Sequence, residues 1–186
     1  MARPKNTPND PERRERITQA AIDLVREHGV AQVTARAVAE RSAVPVASVS
    51  YHFDSVPALL REACRQLLQE RAHRLDQWLA ASTEQTVVDD LAELIVYQLS
   101  EQRSSSIAAY ELYVLGMRDP LMRQVSAASL GHLRKCLTGL VAPTHLDALV
   151  AAADGFQMQC LFQERLPPTS HEVAAVLRAA CNPAMP

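Results

Sequence analysis

The stretch RRERITQAAIDLVREHGVAQVTARAVAERSAVPVASVSYHF, residues 13–53, decides the fold. Apolar side chains recur in its first half at the spacing of an amphipathic helix, beginning with Ile17, Ala21 and Leu24. Gly29 follows them as a helix-stopping residue. Upstream, Asp10 is a capping residue before a proline that suits the first helical position. The pattern predicts a first helix that ends at Gly29.

Two short helices are predicted after this stop. Thr34 is the capping candidate of the second helix, which ends near Ser42. The third helix runs from Pro45 to about Phe53, so about four residues join the pair, which is the spacing of a helix-turn-helix. A short helix presented in this way fits the major groove of DNA, which is about 12 Å wide.

The third helix is expected to have two different faces. Val49 and Phe53 are apolar and four residues apart, so they should pack inward. The residues left to face outward are Val46, Ala47, Ser48, Ser50, Tyr51 and His52. Tyrosine and histidine can both hydrogen-bond phosphate oxygens, which favours a face that contacts DNA. The alternative is that Tyr51 and His52 are ordinary surface residues.

The rest of the chain predicts six more helices and no strand, which indicates an all-α fold of about nine helices. Their capping candidates are Ser55, Thr86, Ser104, Asp119, Thr144 and Thr169. Aromatic residues make up only 4% of the chain, while strong helix formers are abundant. In the long fourth helix, Arg71 is the one polar residue within the apolar stripe.

The charge is distributed unevenly along the chain. The formal net charge is −2, which argues against a basic coat for nucleic acid. Residues 1–74 are net positive and the remainder is net negative, as expected for a DNA-facing head on a body that does not bind DNA. The start of the chain is polar and no apolar run is long enough to span a membrane, so we expect a cytoplasmic protein without a membrane partner.

The four cysteines form no closely spaced pair and are expected to be small buried apolar residues. His132 and Cys136 are four residues apart and could share a metal ion, but the sequence offers no clear third ligand. We therefore expect no metal and no cofactor.

The ordered set of features in residues 13–53 resembles the TetR family of one-component bacterial regulators. The matching elements are an Ala-Ala-x-x-Leu core from Ala20, His28-Gly29, Thr34, Val38-Ala39-Glu40-Arg41 and Tyr51-His52-Phe53. The resemblance implies an N-terminal arm and three-helix DNA-binding domain over residues 1–54, and a helical effector-binding and dimerisation domain over 55–186. It implies a repressor that binds a palindromic operator as a homodimer and is released by a small-molecule effector.

The resemblance also implies roles for individual residues of the helix-turn-helix. Thr34 and Tyr51 would hold phosphates of double-stranded DNA, with His52 assisting. Arg36 would reach a base edge or a phosphate. Three residues at the start of the third helix would face the bases: Val46, Ala47 and Ser48.

The C-terminal region is expected to hold the effector pocket and the dimer interface. Pocket candidates are Trp78, Tyr97, Gln98, Tyr110, Tyr113, Met117, His132, Phe156 and Gln157. Most of them follow helical spacing, so ordinary core packing is the alternative for each one. The last two helices would form a four-helix bundle with their copies. The interface candidates are Ala152, Phe156, Val173 and Leu177.

The sequence departs from the family pattern in and after the helix-turn-helix. Ala43 stands in the turn where the family usually has glycine, and Asp54 and Val56 stand where it usually has cations. Losing those cations should lower the affinity for DNA and flatten its salt dependence, unless Arg3 and Lys5 compensate.

Two other functions remain as alternatives. One is a helical adaptor or regulator that keeps the fold without binding DNA, and the missing cations favour it. The other is an enzyme built on a helical bundle, but the sequence has no Gly-rich phosphate loop and no HExxH motif, so we expect no enzyme.

Overall fold

The structure is a computed structural model that describes residues 11–163 and 166–181. The chain divides after Gln66 into two compact units. Arg3, Lys5 and Asp10, on which sequence-based predictions were made, lie outside the described residues. Within the described residues no helix is long and apolar enough to cross a membrane.

The described part of the chain contains nine α-helices and no strand, which confirms the predicted all-α fold. The helices are α1 (Pro11–His28), α2 (Ala35–Arg41), α3 (Val46–His52), α4 (Val56–Leu79), α5 (Val87–Ser100), α6 (Arg103–Gly116), α7 (Pro120–Leu137), α8 (Pro143–Phe162) and α9 (Ser170–Cys181). A short 3₁₀ turn over Val30–Gln32 follows α1.

The first unit begins and ends its short helices where the sequence predicts. Gly29 has a φ of 83°, which lets the chain leave α1 at a position unfavourable for other residues. The Thr34 side chain caps α2 by accepting a hydrogen bond from the Ala37 backbone N–H at 3.1 Å. Ser55 caps α4 in the same way, through the Ala58 N–H at 3.2 Å.

The core of the first unit holds α3 by its apolar face. Val49 and Phe53 are buried, as predicted, together with Val38 of α2 and Ile17 of α1. The Arg14 guanidinium lies 4.7 Å from the centre of the Phe53 ring, a cation–π contact that links α1 to the residue after α3. These contacts fix which face of α3 is turned to solvent.

The second unit comprises the C-terminal part of α4 and helices α5 to α9. A core cluster of buried residues in this unit draws mainly on α5, α8 and α9, with Leu91, Leu149 and Leu177 among the residues excluded from solvent. Thr169 and Glu172 form the predicted capping box at the start of α9, with the Thr169 N–H donating to Glu172 at 2.7 Å.

The other predicted caps have mixed outcomes. Asp119 caps α7 by accepting from the Leu121 N–H at 2.8 Å, as expected. The capping box predicted at Thr86 is wrong, because its hydroxyl instead donates to Asp90 at 2.7 Å. The cap predicted at Thr144 is also wrong, because α8 begins one residue earlier, at Pro143.

The first unit reaches beyond the predicted end of the DNA-binding domain. Its packing includes the start of α4 as far as Gln66, because Leu59, Leu60 and Ala63 are buried. The boundary at residue 54 was drawn from the end of the helix-turn-helix and stays a prediction about function. As a packing unit, the head contains about half of α4.

Ala43 lies in the turn between α2 and α3 with a φ of 54°, and it is the one non-glycine residue with positive φ among those described. An L-residue in this conformation is destabilised by about 1–2 kcal/mol, whereas glycine adopts it freely. We expect Ala43→Gly to raise the free energy of unfolding by about 0.5–1 kcal/mol, since added freedom in the unfolded chain offsets part of the gain. Thermal unfolding measures the change.

The matched control is Ala47→Gly, the same substitution at an exposed position inside α3. It should lower the free energy of unfolding by about 0.5–1 kcal/mol, because glycine weakens a helix interior. A destabilised Ala43→Gly protein would contradict the assignment of strain to this turn.

Candidate functional site

The helix-turn-helix presents a continuous set of solvent-accessible side chains. Tyr51 is 78% exposed and Val46 is 47% exposed, both on α3. Thr34, Arg36 and Ala47 are also exposed, whereas Ser48 and His52 are half-buried. All seven predicted DNA-contacting residues therefore reach the surface of the first unit. Their contacts with DNA stay a prediction.

The Tyr51 and His52 rings contact each other edge to face, with centroids 5.1 Å apart and planes at 87°. This arrangement restricts both side chains while leaving Tyr51 largely in solvent. A large aromatic side chain held outward from a short helix can make a hydrogen bond to a phosphate with little loss of side-chain freedom.

An exposed charged pair joins α2 to α1. Both terminal nitrogens of Arg41 donate to the Glu27 carboxylate, one of them to Oε1 at 2.8 Å. The hydrogen bonds from Arg41 lower the pKa of Glu27. The charge of Arg41 is therefore paired with Glu27 within the unit. Arg36, by contrast, is exposed at the start of α2. At the two positions after Phe53 where the family pattern has cations, Asp54 is exposed and Val56 is half-buried.

The second unit contains a cavity of about 290 Å³ lined by α4, α5 and residues around the start of α6. Three of the predicted pocket residues line it: Trp78, Tyr97 and Gln98. The Trp78 and Tyr97 rings are stacked, with centroids 5.3 Å apart. The Trp78 indole donates to the Asp90 carbonyl at 3.0 Å, which fixes the plane of the ring.

A smaller cavity of about 40 Å³ is lined by residues of the five helices α4 to α8. Gln98, Tyr113, His132 and Gln157 line it, as four of the predicted pocket residues. Its volume suits a few water molecules rather than a drug-sized ligand. The larger cavity is therefore the better candidate for an effector.

Arg71 lines both cavities and organises the polar groups between them. Its guanidinium donates to the side-chain oxygens of Gln98 and Gln157, each at 3.1 Å. The Gln157 amide in turn donates to Gln98 at 2.7 Å, and the Tyr110 hydroxyl donates to the Asp154 carbonyl at 3.1 Å. This network accounts for the two buried glutamines.

Arg71 and its neighbour Asp154 were missed as site residues. Arg71 interrupts an apolar stripe, and this was the one signal in the sequence that could have identified it. Asp154 is half-buried near the Arg71 charge. Burial raises the pKa of its carboxyl, and the positive charge of Arg71 opposes that shift. Burial likewise raises the pKa of Tyr113.

Three predicted pocket residues do not line either of these cavities. Met117 is 68% exposed just after the end of α6, so its contact with an effector stays a prediction that neither cavity supports. Phe156 is half-buried and packs against the core cluster of the second unit. Tyr110 belongs to the hydrogen-bond network around Arg71, because its hydroxyl also donates to the Gln157 side-chain oxygen at 3.3 Å.

Two of the predicted interface residues must also be corrected. Val173 and Leu177 are 0% exposed within a single chain, because they pack into the core cluster, so they present no surface to a partner. Ala152 is half-buried and packs against the same cluster as Phe156. Exposed apolar residues lie elsewhere on α8 and α9, among them Ala148, Ala151, Met158, Phe162, Ala175, Val176 and Ala179.

Comparison with known proteins agrees with this architecture. Residues 17–63 match the family model described as bacterial regulatory proteins of the tetR family. Residues 82–183 match the model of the tetracyclin repressor-like C-terminal domain, which covers more than half of the chain. No curated protein sequence matches the chain.

Several solved structures share the fold. The multidrug binding protein EbrR complexed with ethidium is 32% identical, with a TM-score of 0.80 over 92% of this chain and 99% of that one. The TetR family member SCO1917 from Streptomyces coelicolor A3 is 31% identical, with a TM-score of 0.78 over 92% and 99% of the two chains. EbrR complexed with proflavin is 30% identical, with a TM-score of 0.72 over 90% and 99%.

An N-terminal helix-turn-helix unit followed by a C-terminal helical unit, each matched by a regulator family model, defines a transcriptional regulator. The chain belongs to the TetR family of bacterial regulatory proteins.

Proposed function

We propose that the protein is a repressor that binds a palindromic operator as a homodimer and leaves it when a small molecule occupies the second unit. The observation that carries the DNA-binding part is the exposed face of α2 and α3, with Tyr51 78% exposed beside the half-buried His52. A side chain this exposed and this large gains little from the fold itself. Contact with a partner explains it better.

In this proposal the α2 and α3 residues divide into two groups. Thr34, Tyr51 and His52 bind phosphates, and these contacts orient the helix without reading sequence. Val46 and Ala47 contact thymine methyl groups, and Ser48 hydrogen-bonds a base or a phosphate. Arg36 reaches a base edge or a phosphate from the start of α2.

We expect Tyr51→Phe to weaken DNA binding by about tenfold, because a hydrogen bond to a charged phosphate is lost. Operator DNA is first selected from a random duplex pool and from the region upstream of the gene. Fluorescence anisotropy then measures affinity at two salt concentrations. Arg36→Ala should also weaken binding, and should reduce the salt slope by about one if Arg36 binds a phosphate.

Tyr97→Phe is the matched control, since it removes the same hydroxyl in the second unit. It should leave DNA affinity unchanged. Equal losses in both variants would contradict the role of Tyr51. A wild-type protein that selects no DNA would overturn the repressor proposal and favour the adaptor.

The dimer is proposed to form through the exposed apolar residues of α8 and α9. On α8, Ala151, Gly155, Met158 and Phe162 follow one another at intervals of four, three and four residues, which places them on one face of the helix. Phe162 is 84% exposed. The small residues would let a second helix approach closely, and the two large ones would be buried between subunits.

We expect Met158→Arg to convert the dimer into a monomer, because it introduces a charge into the proposed apolar interface. Sedimentation equilibrium measures the mass. Val114→Arg is the matched control: Val114 is 58% exposed on α6, which is not one of the two proposed interface helices. A Met158→Arg protein that remains a dimer would contradict this interface. Loss of the dimer in Val114→Arg alone would place the interface on α6 instead.

The effector is proposed to be planar, aromatic and anionic. The related EbrR structures contain ethidium, proflavin and malachite green. In the present chain the stacked rings of Trp78 and Tyr97 offer a surface for a flat ring system. Arg71 and Arg74 line the same cavity, and none of its lining residues in the described part of the chain is a carboxylate, which favours a negatively charged ligand over a cation.

Trp78 is the single tryptophan of the chain, so its fluorescence reports directly on this cavity. We expect naphthalene-2-carboxylate to quench it at lower concentration than the matched cation 2-naphthylmethylammonium. Arg74→Gln should reduce the preference, while Arg118→Gln, at an exposed site outside this cavity, should not. Tighter binding of the cation would contradict the charge preference. If neither compound quenched the fluorescence, the cavity would be excluded as the site of an aromatic effector.

A further inference from the structure

Three side chains with metal-binding atoms converge in the second unit, outside the larger cavity. Asp76 lies on α4, and His132 and Cys136 lie on α7. One ligand atom from each lies within 4.8 Å of the others. The sequence supplied His132 and Cys136 on one face of a helix but no third ligand. The fold supplies it from a residue 56 positions before His132.

Both α7 side chains are directed at the same atom. The His132 Nε2–H donates to Asp76 Oδ1 at 2.8 Å, and the Cys136 thiol donates to that oxygen at 3.3 Å. A cation that displaces these two hydrogens can therefore contact all three ligand atoms after small side-chain rotations. The Asp76 side chain is 53% exposed, which leaves a path from solvent.

We propose that Asp76, His132 and Cys136 bind a divalent cation of the Zn²⁺ type, with water as the fourth ligand. Zn²⁺ accepts sulfur, nitrogen and carboxylate oxygen in one tetrahedral shell, and three protein ligands with one water is a common arrangement. Hard cations such as Mg²⁺ and Ca²⁺ prefer oxygen, so the thiol excludes them.

Binding requires a defined transfer of protons. The Cys136 thiol releases one proton to solvent as its sulfur binds the metal as thiolate. The neutral His132 ring frees Nε2 for the metal by carrying its proton on Nδ1 instead. No oxidation occurs. The bound ion would cross-link α4 to α7, so it should also stabilise the second unit by mass action.

Titration of the reduced full-length protein with Co²⁺, in a non-thiol reductant, tests the site. Thiolate coordination gives a sulfur-to-cobalt charge-transfer absorption in the near ultraviolet, and excess Zn²⁺ should remove it. Cys136→Ser should abolish the absorption. Cys181→Ser, which removes another partly exposed thiol, should leave it unchanged.

Two further variants keep the test decisive if Cys136→Ser misfolds. Asp76→Asn and His132→Gln should each weaken binding by more than the roughly 10–100-fold caused by losing a hydrogen bond to a metal ligand. His145→Gln, on α8, is the histidine control. No charge-transfer absorption in the wild type, or one that Cys136→Ser leaves intact, would overturn the proposal and leave the cluster as a hydrogen-bonded contact between α4 and α7.

Discussion

The burial of Val49 and Phe53 is the constraint on which the proposed DNA-binding surface depends. α3 has only seven residues, so a single turn of apolar contact determines its orientation. The contact of Arg14 with the Phe53 ring adds to this anchoring from α1. Because the inward face is fixed, Tyr51 is fixed outward. The side chains proposed to contact DNA thus owe their placement to buried residues that have no part in that contact.

The orientation of α3 also requires a tight turn before it. That turn contains a residue whose backbone conformation is unfavourable for its type. Ala43 adopts a left-handed conformation that glycine would adopt without strain. The backbone N–H groups of Ala43 and Val44 bond to carbonyls of α2, at 3.2 Å and 3.0 Å, so the geometry of the turn is held by hydrogen bonds. The sequence identified the departure from glycine, and the structure shows that the conformation is kept.

The helices were largely predictable from the sequence because their signals are local. Caps such as Thr34 and Asp119, the stop at Gly29 and the period of apolar residues depend on neighbours within a few positions. The exposed face of α3 was predictable for the same reason. Val173 and Leu177 were misplaced because period alone shows that a residue is on an apolar face and does not show which helix covers it. The α9 face predicted for a partner chain is covered within the same chain.

The polar groups inside the second unit show the same difference between local sequence signals and contacts that the tertiary fold determines. Arg71, Gln98 and Gln157 come from three helices, and each looks isolated in the sequence. Burying any one alone would be unfavourable, but together they satisfy one another. Asp76, His132 and Cys136 repeat the pattern at the surface, where two residues share a helix face and the third arrives from α4. In both clusters, a polar residue at an unexpected place in the helical pattern indicates that a hydrogen-bonding partner exists. Only the tertiary structure identifies that partner.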